Sequence, residues 1–237
     1  MTQVALWLKR NGAHLRGVRV EGKAGVGGLS IFSTRALQAN EVVIAVPETL
    51  VLSLRTLDAA GAAIQLLLDA DFPHQAVLKL ALAHERALGA ASRFHAYLAS
   101  VPVQEDIPLL WGEVALRQLA GSGLDDQVRT QHRKLCGQHA AMVAFLATAR
   151  ERCVPEDHAA CVALGSVPRA AFLAMASLTS SRAFFVHESH GDGLVPGVDL
   201  LNHKCAMTAR TLWALGRWDE LEDGGEEGEE GEEGEEG

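Results

Sequence analysis

The spacing of apolar residues changes along the chain. Val4, Leu6, Trp7 and Leu8 follow a helical spacing, and Asn11-Gly12, a pair that tolerates left-handed backbone, predicts the end of that helix. Val18-Arg19-Val20 then alternates as a strand does, and a glycine cluster follows at Gly22, Gly25, Gly27 and Gly28. Leu29, Ile31 and Phe32 resume the apolar pattern, and Val42-Val43-Ile44-Ala45-Val46 reads as a buried strand stopped by Pro47. From Leu54 to Ser177 the chain is rich in Ala and Leu and predicts helices over Ile64 to Ala70, Gln75 to Leu88 and Asp125 to Arg152. The last of these sets Val128, Leu135, Met142, Phe145 and Leu146 on or near one face. Ser166-Val167-Pro168 reads as a cap and first turn for a helix running through Ala183. A glycine-rich turn is expected at His190-Gly191-Asp192-Gly193, a short strand at Leu194-Val195, and one more strand at Thr208 to Leu215.

This order predicts an α+β fold in which a mostly helical insertion separates two halves of one β structure. The segments are residues 1–53 and 178–215 for the two β halves, 54–177 for the insertion, and 216–237 for a tail of repeated Glu-Glu-Gly. That tail has nothing to bury and is expected to be disordered.

Charge alters the picture in one respect. The net charge is -9, yet the segment from Asp219 onward holds 12 acidic residues and no basic one. In the remainder, 21 basic residues face 18 acidic ones, so the body is nearly neutral and carries no nucleic-acid footprint. No apolar run approaches the ~20 residues of a membrane span, and the amino terminus does not read as a secretory signal. The expectation is a soluble intracellular monomer in cytoplasm or nucleus, with the chloroplast also open. Cys136, Cys153, Cys161 and Cys205 form no CxxC pair and no zinc-type spacing with His, so no metal site is expected.

Three features carry candidate chemistry. Lys23-Ala24-Gly25-Val26-Gly27-Gly28-Leu29 lets a ligand approach the backbone, but its spacing is not GxGxxG and no long helix follows at once, so a dinucleotide loop is disfavoured. Asp199-Leu200-Leu201-Asn202-His203 places a carboxylate, an amide and an imidazole within five residues, beside two leucines. Arg182 stands at an expected helix end, where pairing with carbonyls or a carboxylate is the usual outcome. None of the three names a function alone: turns, internal hydrogen bonds and helix-end pairing account for each. A hydrolase using His203 lacks a GxSxG elbow.

Order and flanks say more. Ser181-Arg182-Ala183-Phe184, then a short turn, then Leu194-Val195-Pro196 and Asp199-Leu200-Leu201-Asn202-His203 resemble the C-terminal signature of the SET domain. More narrowly, they resemble the branch of the Rubisco large-subunit lysine methyltransferases and their non-plant relatives. The stretches WLKRNG, GGLSIFSTRALQANEVVIAVPETLVLS, FHAYLASVP and LLWGEVALRQLAGSGL resemble further parts of that branch in the same order. The resemblance implies an S-adenosylmethionine-dependent methyltransferase acting on a lysine side chain of a protein. It implies that Gly27, Gly28 and Leu29 form the turn that holds the cofactor. Arg182 would lie near both cofactor and target side chain, Asn202 and His203 would clasp the cofactor, and Asp199 would lie close to the substrate.

Two departures accompany it. Ser30 stands where the family turn has a second glycine. The family's tyrosine beside the reacting amine has no counterpart, because the one tyrosine, Tyr97, lies in the helical stretch at a position that reads as packing. No catalytic residue is therefore assigned. The expectation is a truncated or weakly active methyltransferase, with a non-catalytic SET-like protein-binding module as the alternative.

Overall fold

The computed structural model describes residues 1–22, 28–151 and 154–201. Helix α1 spans Gln3–Arg10 and buries Val4, Ala5 and Leu8. It stops as the sequence predicts: Asn11 Nδ2 donates to Trp7 O at 2.8 Å, and Gly12 takes φ +86°, which returns the chain so that Ala13 N donates to Leu8 O at 2.9 Å.

Four short strands follow. Strand β1 (His14–Leu15), β2 (Val18–Gly22), β3 (Leu29–Ser33) and β4 (Ile44–Ala45) form two antiparallel pairs. β2 meets β3 in an unbroken register from Val18 opposite Ser33 to Gly22 opposite Leu29. β1 meets β4 over two residues only. The five-residue buried strand expected at Val42–Val46 is therefore a correction: only Ile44–Ala45 is strand, and Val42 is 61% exposed. Its partner offers two residues, and the segment before it is turned by Asn40 at φ +62° and held by the Arg35–Glu41 ion pair.

The helical block contains α2 (Gly61–Asp69), α3 (His74–Ala87), α4 (His95–Leu98), α5 (Glu113–Leu116), α6 (Leu124–Ala149), α7 (Pro155–Gly165) and α8 (Arg169–Arg182). α3 lies along α8, and α6 along α7. Leu135, Met142 and Leu146 form the buried face of α6 as the periodicity predicts, with Val128 and Phe145 half-buried beside them. Leu67, Leu80, Leu82, Phe94, Tyr97, Met142, Leu146, Leu164 and Phe172 are fully enclosed, and the same apolar cluster includes Val4, Leu8, Val20 and Leu52. Helices and β segments thus share one core, which puts the chain's largest stabilising term across both parts.

Two readings of the later chain are corrected. Helix α7 falls within the stretch expected to be mostly helical; it begins at Pro155, a residue tolerated in a first turn because its missing N–H is one the helix leaves unpaired. Ser166 does not cap α8: its hydroxyl donates to Ala163 O at 2.8 Å and so closes α7, while Pro168 precedes α8. α8 ends at Arg182, and Ala183 opens a strand. The expected glycine turn is also displaced. Strand β5 (Ala183–His187) and β6 (Gly191–Leu194) form an antiparallel hairpin, and Glu188–His190 make the turn.

Among the described residues, the two β segments on either side of the helical block are joined by one β-bridge, Leu52 opposite Leu194. Leu52 N donates to Leu194 O at 2.9 Å and Leu194 N to Leu52 O at 3.0 Å. Gly193 sits in β6 because its backbone passes against this junction. A Cβ there would lie 3.0 Å from Leu52 O and 3.0 Å from Val51 Cγ1. The expected strand at Thr208–Leu215 and the acidic tail lie outside the described residues.

Candidate functional site

Arg182 is the last residue of α8, and the change to extended backbone at Ala183 turns its side chain toward two carboxylates. Nε donates to Glu105 Oε1 at 2.6 Å, and Nη1 reaches Asp199 O and Asp199 Oδ2, each at 3.4 Å. Nη2 makes no hydrogen bond to another described residue. One fifth of the side chain remains accessible.

Asp199 lies in the short helical turn Val198–Leu200, which follows Gly197 at φ +90°. Its side chain is fully enclosed. Oδ1 accepts the N–H of Gly197 at 3.1 Å, and Oδ2 accepts the hydroxyl of Tyr97 at 2.9 Å. Both oxygens are thus engaged from within the chain. Burial pushes the Asp199 carboxyl above the ordinary aspartate value, while Tyr97, Arg182 and the Gly197 N–H pull it back. Burial raises the Tyr97 phenol far above its ordinary value, and the adjacent Asp199 charge adds to this. For Arg182, burial opposes the charge, but the Glu105 hydrogen bond with the Glu105 and Asp199 charges leaves it raised.

Glu105 is fixed from behind. Its N–H donates to Ser177 Oγ at 2.9 Å, and that buried hydroxyl donates to Ala174 O at 2.7 Å. Arg86 donates to Val101 O and Pro102 O and so anchors the segment between Tyr97 and Glu105.

Of the residues singled out in the sequence, Arg182 and Asp199 are brought together directly. Leu29 lies in β3, half-buried against the core, and β3 packs against the turn Val198–Leu200. Gly28 is exposed with φ +109°, a backbone conformation that favours glycine, and no atom of the described residues lies within 4 Å of where a Cβ would stand. Ser30, where the resemblance leads one to expect a glycine, is buried. Gly27, Asn202 and His203 lie outside the described residues.

Sequence reasoning missed Glu105, and it assigned Tyr97 to packing alone. Tyr97 does pack, with no exposed surface, but its hydroxyl belongs to the Arg182 cluster. The usable signal was chemical: a tyrosine within an apolar helical stretch must find a partner for its hydroxyl. The partner lies 102 residues away, so nothing local named it.

Other clusters differ in kind. Ser53 Oγ lies 2.9 Å from His190 Nδ1, and Glu48 Oε2 lies 3.5 Å from His190 Nε2. Ser53 has no exposed surface, so this trio offers no accessible nucleophile and ties the two sides of the Leu52–Leu194 junction together. Among the described residues no group of three His, Cys, Asp or Glu side chains is placed to hold a metal. A cleft of about 850 Å³ opens between α3, α6 and α8, lined in part by Lys79, Lys134, Gln131 and Asp192. It contains none of the expected site residues. No single helix among the described residues is long and apolar enough to cross a membrane.

The sequence matches no protein-family profile and no curated protein. The fold, by contrast, matches solved structures. The SET domain of LSMT bound to lysine and AdoHcy aligns at a TM-score of 0.67 with 20% identity, over 85% of this chain and 43% of that one. Rubisco LSMT bound to AdoMet aligns at 0.68 with 20% identity, over 86% and 44%. Rubisco LSMT bound to sinefungin and monomethyllysine aligns at 0.67 with 20% identity, over 87% and 46%. The chain spans less than half the length of these proteins. The α+β architecture is therefore the SET-domain fold that the sequence motifs imply.

Proposed function

We propose that this SET-fold chain binds S-adenosylmethionine and is a weakly active form of a methyltransferase directed at the side-chain amine of a protein lysine. The observation that carries the reading is the state of Arg182. Two carboxylates hold Nε and Nη1, and Nη2 has no hydrogen-bond partner among the described residues, at a site still partly open. A guanidinium fixed in this way suits the carboxylate of an amino-acid moiety, because its planar fork loses little freedom on forming a further bond. Among the described residues no side chain covers the backbone at Gly28, which suits close approach of a ligand to main-chain groups. The solved neighbours of the same fold were bound to AdoMet, AdoHcy or sinefungin, and to lysine or monomethyllysine.

In this reading, Arg182 receives the methionyl carboxylate, Gly27, Gly28 and Leu29 supply backbone contacts, and Asn202 and His203 hold the remainder of the cofactor. Asp199 borders the substrate side. The bound cofactor supplies an electrophilic methyl group on sulfonium, and the chain's part is to orient it and to exclude water. The only tyrosine of the sequence is enclosed and engaged with Asp199, so no phenol of this chain stands free to orient the amine. We therefore assign cofactor binding with weak or absent methyl transfer to these 237 residues. A protein-binding role without methyl transfer is the second reading.

Calorimetric titration of the 237-residue chain with S-adenosylmethionine and with its demethylated product tests the proposal. Saturable binding that is weakened about tenfold or more in Arg182→Ala supports it, the size expected for one charged hydrogen bond. Absence of binding by the parent chain refutes it.

A further inference from the structure

We propose that Tyr97 is a positioning residue of this site: through the Asp199 carboxylate it fixes the guanidinium of Arg182 and the turn Val198–Leu200. The inference rests on the reading of Arg182 as a cofactor contact. Tyr97 comes from α4, Asp199 from the turn after β6, and Arg182 from the end of α8. One hydroxyl thus ties the helical block to the segment after the hairpin.

A buried phenol needs an acceptor, and any backbone carbonyl would serve. This one donates instead, at 2.9 Å, to the oxygen of Asp199 that also faces Arg182 Nη1. The other oxygen is taken by Gly197 N–H at 3.1 Å, so the carboxylate is held at both ends. With Asp199 immobile on one side of the guanidinium and Glu105 at 2.6 Å on the other, the plane of the fork is determined and the direction of Nη2 follows. The arrangement is a supporting layer behind a ligand-binding group, of the kind that keeps such groups within a fraction of an ångström of a productive geometry.

The groups facing the Asp199 carboxylate are the Tyr97 hydroxyl, the Gly197 N–H and the Arg182 guanidinium. Glu105 lies beyond Arg182, and Arg86 acts on the Tyr97 side. Removing the hydroxyl takes away a donor that lowers the pKa of a carboxyl already raised by burial. Asp199 then takes up a proton at a higher pH than in the parent chain. Once neutral, it ceases to hold Arg182. Loss of the hydroxyl therefore predicts weaker cofactor binding together with a new dependence on pH, and simple packing predicts neither.

The test is calorimetry with S-adenosylmethionine on the 237-residue parent chain, Tyr97→Phe and Asp199→Asn, at several pH values from neutral downward. The expected result is about tenfold weaker binding by Tyr97→Phe, from one hydrogen bond to a charged group. Its affinity should also fall with acidification at a higher pH than that of the parent. Asp199→Asn should be weakened without this added pH step. Parent binding with Tyr97→Phe equal to it at every pH overturns this inference and leaves the cofactor reading intact. No binding by the parent overturns both. If Tyr97→Phe does not fold, Asp199→Asn decides: parent-like affinity refutes the positioning role, and weakened affinity supports it.

Discussion

Replacing Gly193 by Ala should weaken the seam between the two β segments, by an amount the structure bounds. The added Cβ would lie 3.0 Å from Leu52 O, 3.0 Å from Val51 Cγ1 and 3.3 Å from Ser53 Cβ. The first contact is with backbone that itself accepts the N–H of Leu194 at 3.0 Å, so relief of the clash lengthens one of the two bonds of the bridge. Overpacking in a closed site costs about 1–3 kcal/mol, and a weakened hydrogen bond adds about 1 kcal/mol. The sum is about 2–4 kcal/mol, which at a urea m-value of about 2 kcal/mol/M lowers the midpoint by about 1–2 M. Gly191→Ala is the control. Its Cβ would meet nothing within 4 Å, but φ is +62°, so only the left-handed backbone cost of about 1–2 kcal/mol applies. Urea unfolding followed by far-UV circular dichroism measures both. A Gly193→Ala midpoint equal to that of the parent would refute the argument, because the close approach would then carry no energetic weight.

Two further outcomes are expected. The raised carboxyl of Asp199 favours the fold fully only below the ordinary value of 3.8, and that contribution is lost as pH rises through the folded-state value. Asp199→Asn has no such dependence, so the stability of the parent relative to this variant should fall from acid toward neutral pH; a constant difference in urea unfolding would contradict it. At the surface, the hydrogen bonds from Arg35 and from Gln38 N–H lower the Glu41 carboxyl from 4.5 to about 2. In Arg35→Ala the Glu41 carboxyl should titrate closer to 4.5 by carbon NMR, and an unchanged titration would show that the pair does not persist in solution.

What the sequence made legible was what local periodicity encodes. The buried face of α6 is written in Leu135, Met142 and Leu146, and the register of β2 with β3 accords with the alternation at Val18 and Val20. What it hid depended on partners far along the chain. Gly191-Asp192-Gly193 has turn composition, yet it is strand because Leu52 waits on the other side of the helical block. Val42–Val46 has strand composition, yet β1 offers it only two residues. At the candidate site, Arg182 and Asp199 were singled out by motif order, since each stands in a recognisable string. Glu105 was not, because it lies in an irregular segment that is positioned by Ser177 and Arg86. Tyr97 carried a signal in its chemistry, and its destination became visible only once α4 and the turn after β6 met.

The bridge between Leu52 and Leu194 also bears on how the chain acquires its shape. Its two residues stand about 140 apart in sequence, so closing that contact from an extended chain carries an entropic penalty of about 4 kcal/mol by the logarithmic loop law. Two hydrogen bonds do not offset it. Collapse of α2 to α8 onto their own apolar faces shortens the effective loop before the ends need to meet. The helices are therefore expected to form early and the β junction late. Because Asp199 follows Leu194 by only a few residues, the cluster around Arg182 is completed in that last step. A nascent chain halted before Leu194 emerges would hold a folded helical block in which Arg182 and Asp199 have not met.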